Sequence, residues 1–382
     1  MINQMYNNIK KLKNTVRKLQ PIININFIDG AFVELKNFED DVDYEVNFFS
    51  KSNLVYTTTL KNNMWAKASR QYYTDWRVVV KDCNGEIIHE YSLDLTGKNV
   101  LISLESKSLG DTMAWFPYAE EFRKKMKCNV YISTFMNDLF IEQYPKLKFV
   151  NPGQPVSNLT ASYKIGWFFD VSGGIDYSRC PINFREYSLQ QTATSILGLD
   201  YQEVRPILKL NDKEKKNKVG IGIHSTAQSK YWNNPTGWQE VVDYLNQKGY
   251  EVVLYSKEGD GYMGNFQPNG VSKFSGTLQE VIDDLSECQF FIGLGSGLSW
   301  LAWSVGLPVV LISGFSEDWA ETFHNTYRVI NKNVCHGCFN KYKFDPGDWN
   351  WCPVHKGTDK QFECTKSITS EMVIDEINKI IN

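Results

Sequence analysis

The 382-residue chain reads as an α/β protein: two Rossmann-like halves, a β-rich segment before them and a cysteine-rich module after them. Three observations predict this. From residue 99 to residue 312, short buried-type strands alternate with stretches of helical periodicity, which implies parallel sheets. A polar run, Asn211-Asp-Lys-Glu-Lys-Lys-Asn217, cuts that stretch in two. Cys335, Cys338, Cys352 and Cys364 are half of the chain's eight cysteines and lie within 30 positions.

Composition agrees with a sizeable core, at 42% hydrophobic and 22% charged residues. The net charge of -3 excludes a broad electrostatic attraction to nucleic acid. The exception is a basic helix expected over 1–20, where Ile9, Leu12, Val16 and Leu19 recur at helical spacing among lysines. No apolar run approaches the roughly 20 residues of a membrane span, and the start lacks a secretory apolar region. A long chain of this kind is expected in the cytoplasm with reduced thiols.

Residues 21–98 show period-two alternation in Ile22–Phe27, Tyr44–Phe48, Trp76–Val80 and Ile87–Tyr91, with turn signals at Asp29-Gly30 and Asn84-Gly85. A small antiparallel barrel or sandwich domain is expected there. Asp41-Val-Asp43 sits in an acidic run and reads as a solvated loop. The first Rossmann-like half, 99–210, begins with the strand Asn99–Leu104, a helix over Asp111–Met126 and the strand Asn129–Ser133. The second, 211–331, continues with strands at Val219, Glu251, Phe290 and Pro308 and helices over 238–249, 278–287 and 298–305. A metal module over 332–366 and a C-terminal helix over 367–382 complete the chain.

Four motifs carry chemistry. In Ser108-Leu-Gly-Asp111, Gly110 permits a sharp turn and Asp111 is a candidate general base at the strand-to-helix junction; an N-cap is the plainer role for it. The loop His224-Ser-Thr-Ala-Gln-Ser-Lys230 offers hydroxyls and an ammonium suited to a diphosphate. Gly293-Leu-Gly-Ser-Gly-Leu-Ser-Trp300 allows close backbone approach at a helix N-terminus, a ready anion site. The cysteine spacing fits a tetrahedral four-thiolate metal site, with His336 and His355 as substitutes for one thiol. Sulfur ligands suit iron or zinc, in a structural role without an open position.

Together these motifs, from about residue 99 to 366, resemble the bacterial autotransporter heptosyltransferases, relatives of the lipopolysaccharide heptosyltransferases with the GT-B fold. The resemblance implies an ADP-heptose donor, an inverting mechanism without a catalytic divalent metal, and a protein acceptor, the serine hydroxyls of an adhesin passenger. It further implies iron at Cys335, Cys338, Cys352 and Cys364, and assembly into a homo-oligomer, a dodecamer. Asp111 matches the family's catalytic aspartate, Ser225, Thr226 and Lys230 its donor-phosphate loop, and Ser296 and Gly297 its second phosphate-binding turn. Gly295 and Leu298 flank that turn, and Gly295 and Trp300 replace an Asp and a His of the lipopolysaccharide branch. Glu258, after the strand ending at Tyr255, is a candidate for the ribose hydroxyls. Two other readings compete: a GT-B transferase using another nucleotide sugar or a glycan acceptor, and a non-catalytic, metal-stabilised binding protein.

Overall fold

The computed structural model describes residues 20–211 and 213–382; the basic stretch at 9–18 lies outside them. A seven-stranded sheet runs in the order β10 (Lys148–Val150), β9 (Asn129–Ser133), β8 (Asn99–Leu104), β11 (Leu159–Ile165), β1 (Ile22–Ile28), β2 (Phe32–Lys36), β5 (Trp65–Lys67). The first five are parallel, and β2 and β5 continue the sheet antiparallel. A second sheet of six parallel strands runs β14 (Ser272–Phe274), β13 (Glu251–Tyr255), β12 (Lys218–Ile221), β15 (Phe290–Leu294), β16 (Val309–Ile312), β17 (Thr326–Val329). Numbered from β12, this is the doubly wound order 3-2-1-4-5-6. An antiparallel sheet holds β4 (Asn53–Leu60), β3 (Tyr44–Ser50), β6 (Trp76–Lys81) and β7 (Ile87–Ser92).

The segment 21–98 therefore divides between two sheets instead of closing on itself as a barrel or sandwich. Alternation in Ile22–Phe27 announces a strand but not its partner. β1 pairs in parallel with β11, Phe27 opposite Ala161, and the Asp29 N–H donates to Ser162 Oγ at 3.1 Å. The four-stranded sheet buries Val46, Phe48, Trp76 and Val78 in the same apolar cluster as Val100, Ile102 and Phe122, so it is a lobe on the first half. Asp41 and Asp43 are exposed outside any strand, as a solvated loop should be.

The second sheet is covered on both faces, and the strands β12, β15 and β16 are buried at every residue. On one face, Val373 and Ile377 of the C-terminal helix Ser370–Ile381 pack with Val310, Ile312 and Val329, which ties that helix to the second half. On the other, the helix Gly297–Val305 is buried almost throughout and joins the core of the first half. The single helix expected over 111–126 is two, Leu109–Trp115 and Pro117–Met126, because Pro117 has no N–H to continue the first ladder. Among the described residues no helix is long and apolar enough to cross a membrane.

Candidate active site

In the parallel part of each of the two larger sheets the strand order reverses, between β8 and β11 and between β12 and β15. Loops leaving the carboxyl ends at such a point open a crevice. Here the two crevices share one cleft of about 390 Å³, lined by Asp111 and Trp167 from the first half, Lys230 and Gly297 from the second, and Phe339 from the cysteine module. Asp111, Ser225, Thr226, Lys230, Gly295, Ser296, Gly297 and Leu298, scattered over nearly 190 positions, all line it. Glu258 does not line it; it sits on the loop after β13, close enough to influence the ionisation of His224.

Asp111 is the third residue of the helix Leu109–Trp115, and Ser108 occupies the N-cap position. The carboxylate is not spent on capping. Its Oδ2 accepts from Ser106 Oγ at 2.6 Å and from Trp167 Nε1 at 3.1 Å, and Oδ1 has no protein donor among the described residues. Burial pushes its pKa above the usual carboxylate value, opposed by those two hydrogen bonds and by the Lys230 ammonium. Trp167 is held in turn by edge contacts with Phe184 and Phe339, at centroid distances of 5.0 and 5.7 Å.

The glycines at the cleft answer a packing demand. Gly110 and Gly297 lack the positive φ that a sharp turn would require. They allow the first turns of two helices, one from each half, to meet: a Cβ on Gly297 would lie 2.8 Å from Leu109 Cβ and 3.2 Å from the Gly110 nitrogen. Ser296 N-caps the helix Gly297–Val305 without a side-chain capping bond. The first-turn N–H groups have no intrahelical acceptor and carry the positive end of the helix dipole at the cleft.

Opposite them, Lys230 Nζ lies 3.3 Å from Thr226 Oγ1 and over the rings of Phe315 and Phe344, at 5.0 and 5.3 Å. Burial lowers its pKa, while Asp111 and Glu321 pull it back up. His224 and Glu321 are cleft residues that the motif reading did not assign. His224 Nδ1 is 2.7 Å from Ser256 Oγ, and its buried Nε2 and the Ser225 hydroxyl have no protein partner among the described residues. Burial lowers the His224 pKa, favouring neutral imidazole. Glu321 comes from the loop before β17, where no motif marks it.

The cysteine module is a wall of this cleft. Phe339 and Asn340 line it, the Gln228 N–H donates to the Trp349 carbonyl at 3.0 Å, and Asn340 Nδ2 donates to the Arg185 carbonyl at 2.9 Å. Among the described residues, none of the four cysteines is in a disulfide. Burial is the main reason that Cys338 and Cys364 rise to about 11 and about 12, and the neighbouring thiols add repulsion. Such a donor set accumulates negative charge that a bound cation would neutralise. The donor atoms that converge within 4.8 Å of one another, however, are those of Cys335, His355 and Glu363. His355 was among the expected substitutes and Glu363 was not.

Residues 183–341 match the family model for glycosyltransferase family 9 (heptosyltransferase). The autotransporter heptosyltransferase BAHTCr of Citrobacter rodentium is 40% identical over 332 residues, covering 84% of this chain and 80% of its own length. The crystal structure of the iron-containing dodecameric glycosyltransferase TibC, from enterotoxigenic E. coli H10407, superposes with a TM-score of 0.85 at 37% identity, covering 94% of this chain and 95% of TibC. TibC has also been solved in complex with ADP-D-beta-D-heptose. BimC of Burkholderia thailandensis, named an inactive autotransporter heptosyltransferase, is 30% identical, covering 82% of this chain and 76% of its own. With this identity over most of its length, the chain belongs to the autotransporter heptosyltransferase family.

Proposed function

We propose that this chain is an inverting GT-B transferase that moves heptose from ADP-heptose to serine hydroxyls of a protein acceptor, an autotransporter adhesin, in the cytoplasm. The observation that carries this reading is the placement of Asp111 on one lip of the cleft, with Lys230 and an open helix N-terminus on the other. The serine oxygen attacks the anomeric carbon from the face opposite the diphosphate. The bond to the diphosphate oxygen breaks, its electron pair leaves with ADP, and the hydroxyl proton passes to Asp111. Lys230 and the N–H groups of Gly297 and Leu298 stabilise the charge growing on the leaving group. Ser225, Thr226, Gly295 and Ser296 complete the diphosphate cradle, and Glu258, on the loop after β13 beside His224, is the candidate for the ribose hydroxyls. None of these steps uses a catalytic divalent metal.

The cysteine module fits a structural iron or zinc ion, drawn from Cys335, Cys338, Cys352 and Cys364 with His355 and Glu363 as further donors. Bound metal would supply fold to a segment whose apolar cluster is small, Cys338 and Trp351 packed with Phe315 from outside it. A dodecamer like that of TibC is the proposed assembly.

Thermal stabilisation by ADP, UDP, GDP, CMP and ADP-heptose tests the donor. Bound ligand raises stability with the logarithm of its saturation, so ADP and ADP-heptose should shift the melt and the other nucleotides should not. A larger shift with another nucleotide would move the reading to a different sugar donor. No shift with any of them would favour the non-catalytic, metal-stabilised binding reading.

The pH profile has a defined sign. Asp111 must be ionised to accept a proton, and its folded pKa is raised, so kcat should fall on the acid side at a pH above the ordinary carboxylate range. The Trp167 hydrogen bond favours the ionised form. Trp167→Phe should therefore move that limb to higher pH; an unmoved limb would show that Asp111 does not set it.

A further inference from the structure

Glu321 is a cleft residue that neither touches the diphosphate nor carries the transferred proton, although its charge supports the Lys230 ammonium. It lies on the cleft wall beside Gly295, and an ideal Cβ on Gly295 would sit 2.9 Å from its Oε1. The absence of a side chain at 295 therefore leaves room for this carboxylate oxygen at the donor turn. The carboxylate is fixed from behind: Oε2 pairs with Arg328 Nη1 at 2.7 Å, and Oε1 accepts from Ser316 Oγ at 2.7 Å. Both side chains are nearly buried, at 13% and 9% exposure. An ion pair so far from water gains little stability over apolar packing, which leaves its placement in the cleft wall to be explained.

We infer that Glu321 is the sugar-specificity residue of the donor site, accepting hydrogen bonds from hydroxyls of the transferred sugar; this rests on the donor reading above. The chemistry selects the sugar over the other parts of the donor. A carboxylate accepts hydrogen bonds and repels anions, so it suits a neutral polyol and not a diphosphate. Oε1 keeps acceptor capacity beyond the Ser316 bond. Arg328 fixes the rotamer and balances the charge, which limits repulsion of the diphosphate at the adjoining turn. Any side chain at 295 would displace this oxygen, so glycine at 295 and glutamate at 321 form a matched pair.

The test separates sugar from nucleotide. Titration calorimetry on the full chain measures affinity for ADP and for ADP-heptose, in wild type and in Glu321→Gln. ADP affinity should stay within about twofold while ADP-heptose affinity falls roughly 10- to 100-fold, the range for a lost hydrogen bond to a charged group. Equal losses for both ligands, or no loss for either, would overturn the assignment. Glu321→Asp guards against misfolding, since it keeps a charge for Arg328 but withdraws the carboxylate from Gly295. It should show the same split between ligands with a melting temperature near wild type, and tight ADP-heptose binding by this variant would equally count against the inference. If the wild-type chain bound neither ligand, the donor reading itself would fail, independently of Glu321.

Discussion

Asp111→Asn is expected to lower kcat by about 10²- to 10⁴-fold, the usual contribution of a positioned general base, with ADP affinity nearly unchanged. The substitution is a clean one in this setting. Both hydrogen bonds to the carboxylate fall on Oδ2, so asparagine can present its amide oxygen to Ser106 and Trp167 and keep the local geometry. What it cannot do is take up the acceptor's proton. Single-turnover transfer and calorimetric ADP binding on the same preparation check this. Wild-type turnover would remove Asp111 as the base, and a matching loss of ADP affinity would make its role one of folding.

Lys230→Met should be the other severe lesion. The methionine stem still fills the space between Phe315 and Phe344 that the lysine occupies, but the charge facing the leaving group is gone. Losing one such contact costs about 3 kcal/mol at the transition state, roughly 10²-fold in kcat. The lysine also meets the diphosphate in the ground state, so ADP affinity should weaken as well. A second signature follows from its attraction to Asp111. Lys230 holds the Asp111 pKa down, so the acid limb of the remaining activity should move to higher pH. A variant with full activity would put the diphosphate elsewhere in the cleft.

The second half of the chain was legible because its signals are local. The strand Glu251–Tyr255 and the helix starting at Leu278 fall where apolar runs and periodicity place them. The helix Leu189–Leu197 was missed, although Ser188 and Gln191 form a capping box that marks its start. The short strands β14 and β17 have only 3 and 4 residues, too few to show a period. Pairing was the least legible property. Nothing local in Ile22–Ile28 says that its neighbour is Leu159–Ile165. The site divides in the same way: Asp111, Lys230 and the glycine turn announce themselves through motifs, whereas Glu321 acquires meaning only from its nearness to Gly295.

The placement of β1 bears on how the protein is made. Phe27 and Ile28 are made more than a hundred residues before their parallel sheet partners; Asp29 and Ser162 are 133 positions apart. Until then one edge of β1 is unsatisfied, and a waiting strand edge is prone to pair with the wrong chain. Closing so long a loop also slows folding. Nascent chains stalled before residue 159 should therefore be protease-sensitive across Ile22–Lys36, and those stalled well beyond Ile165 should be protected there.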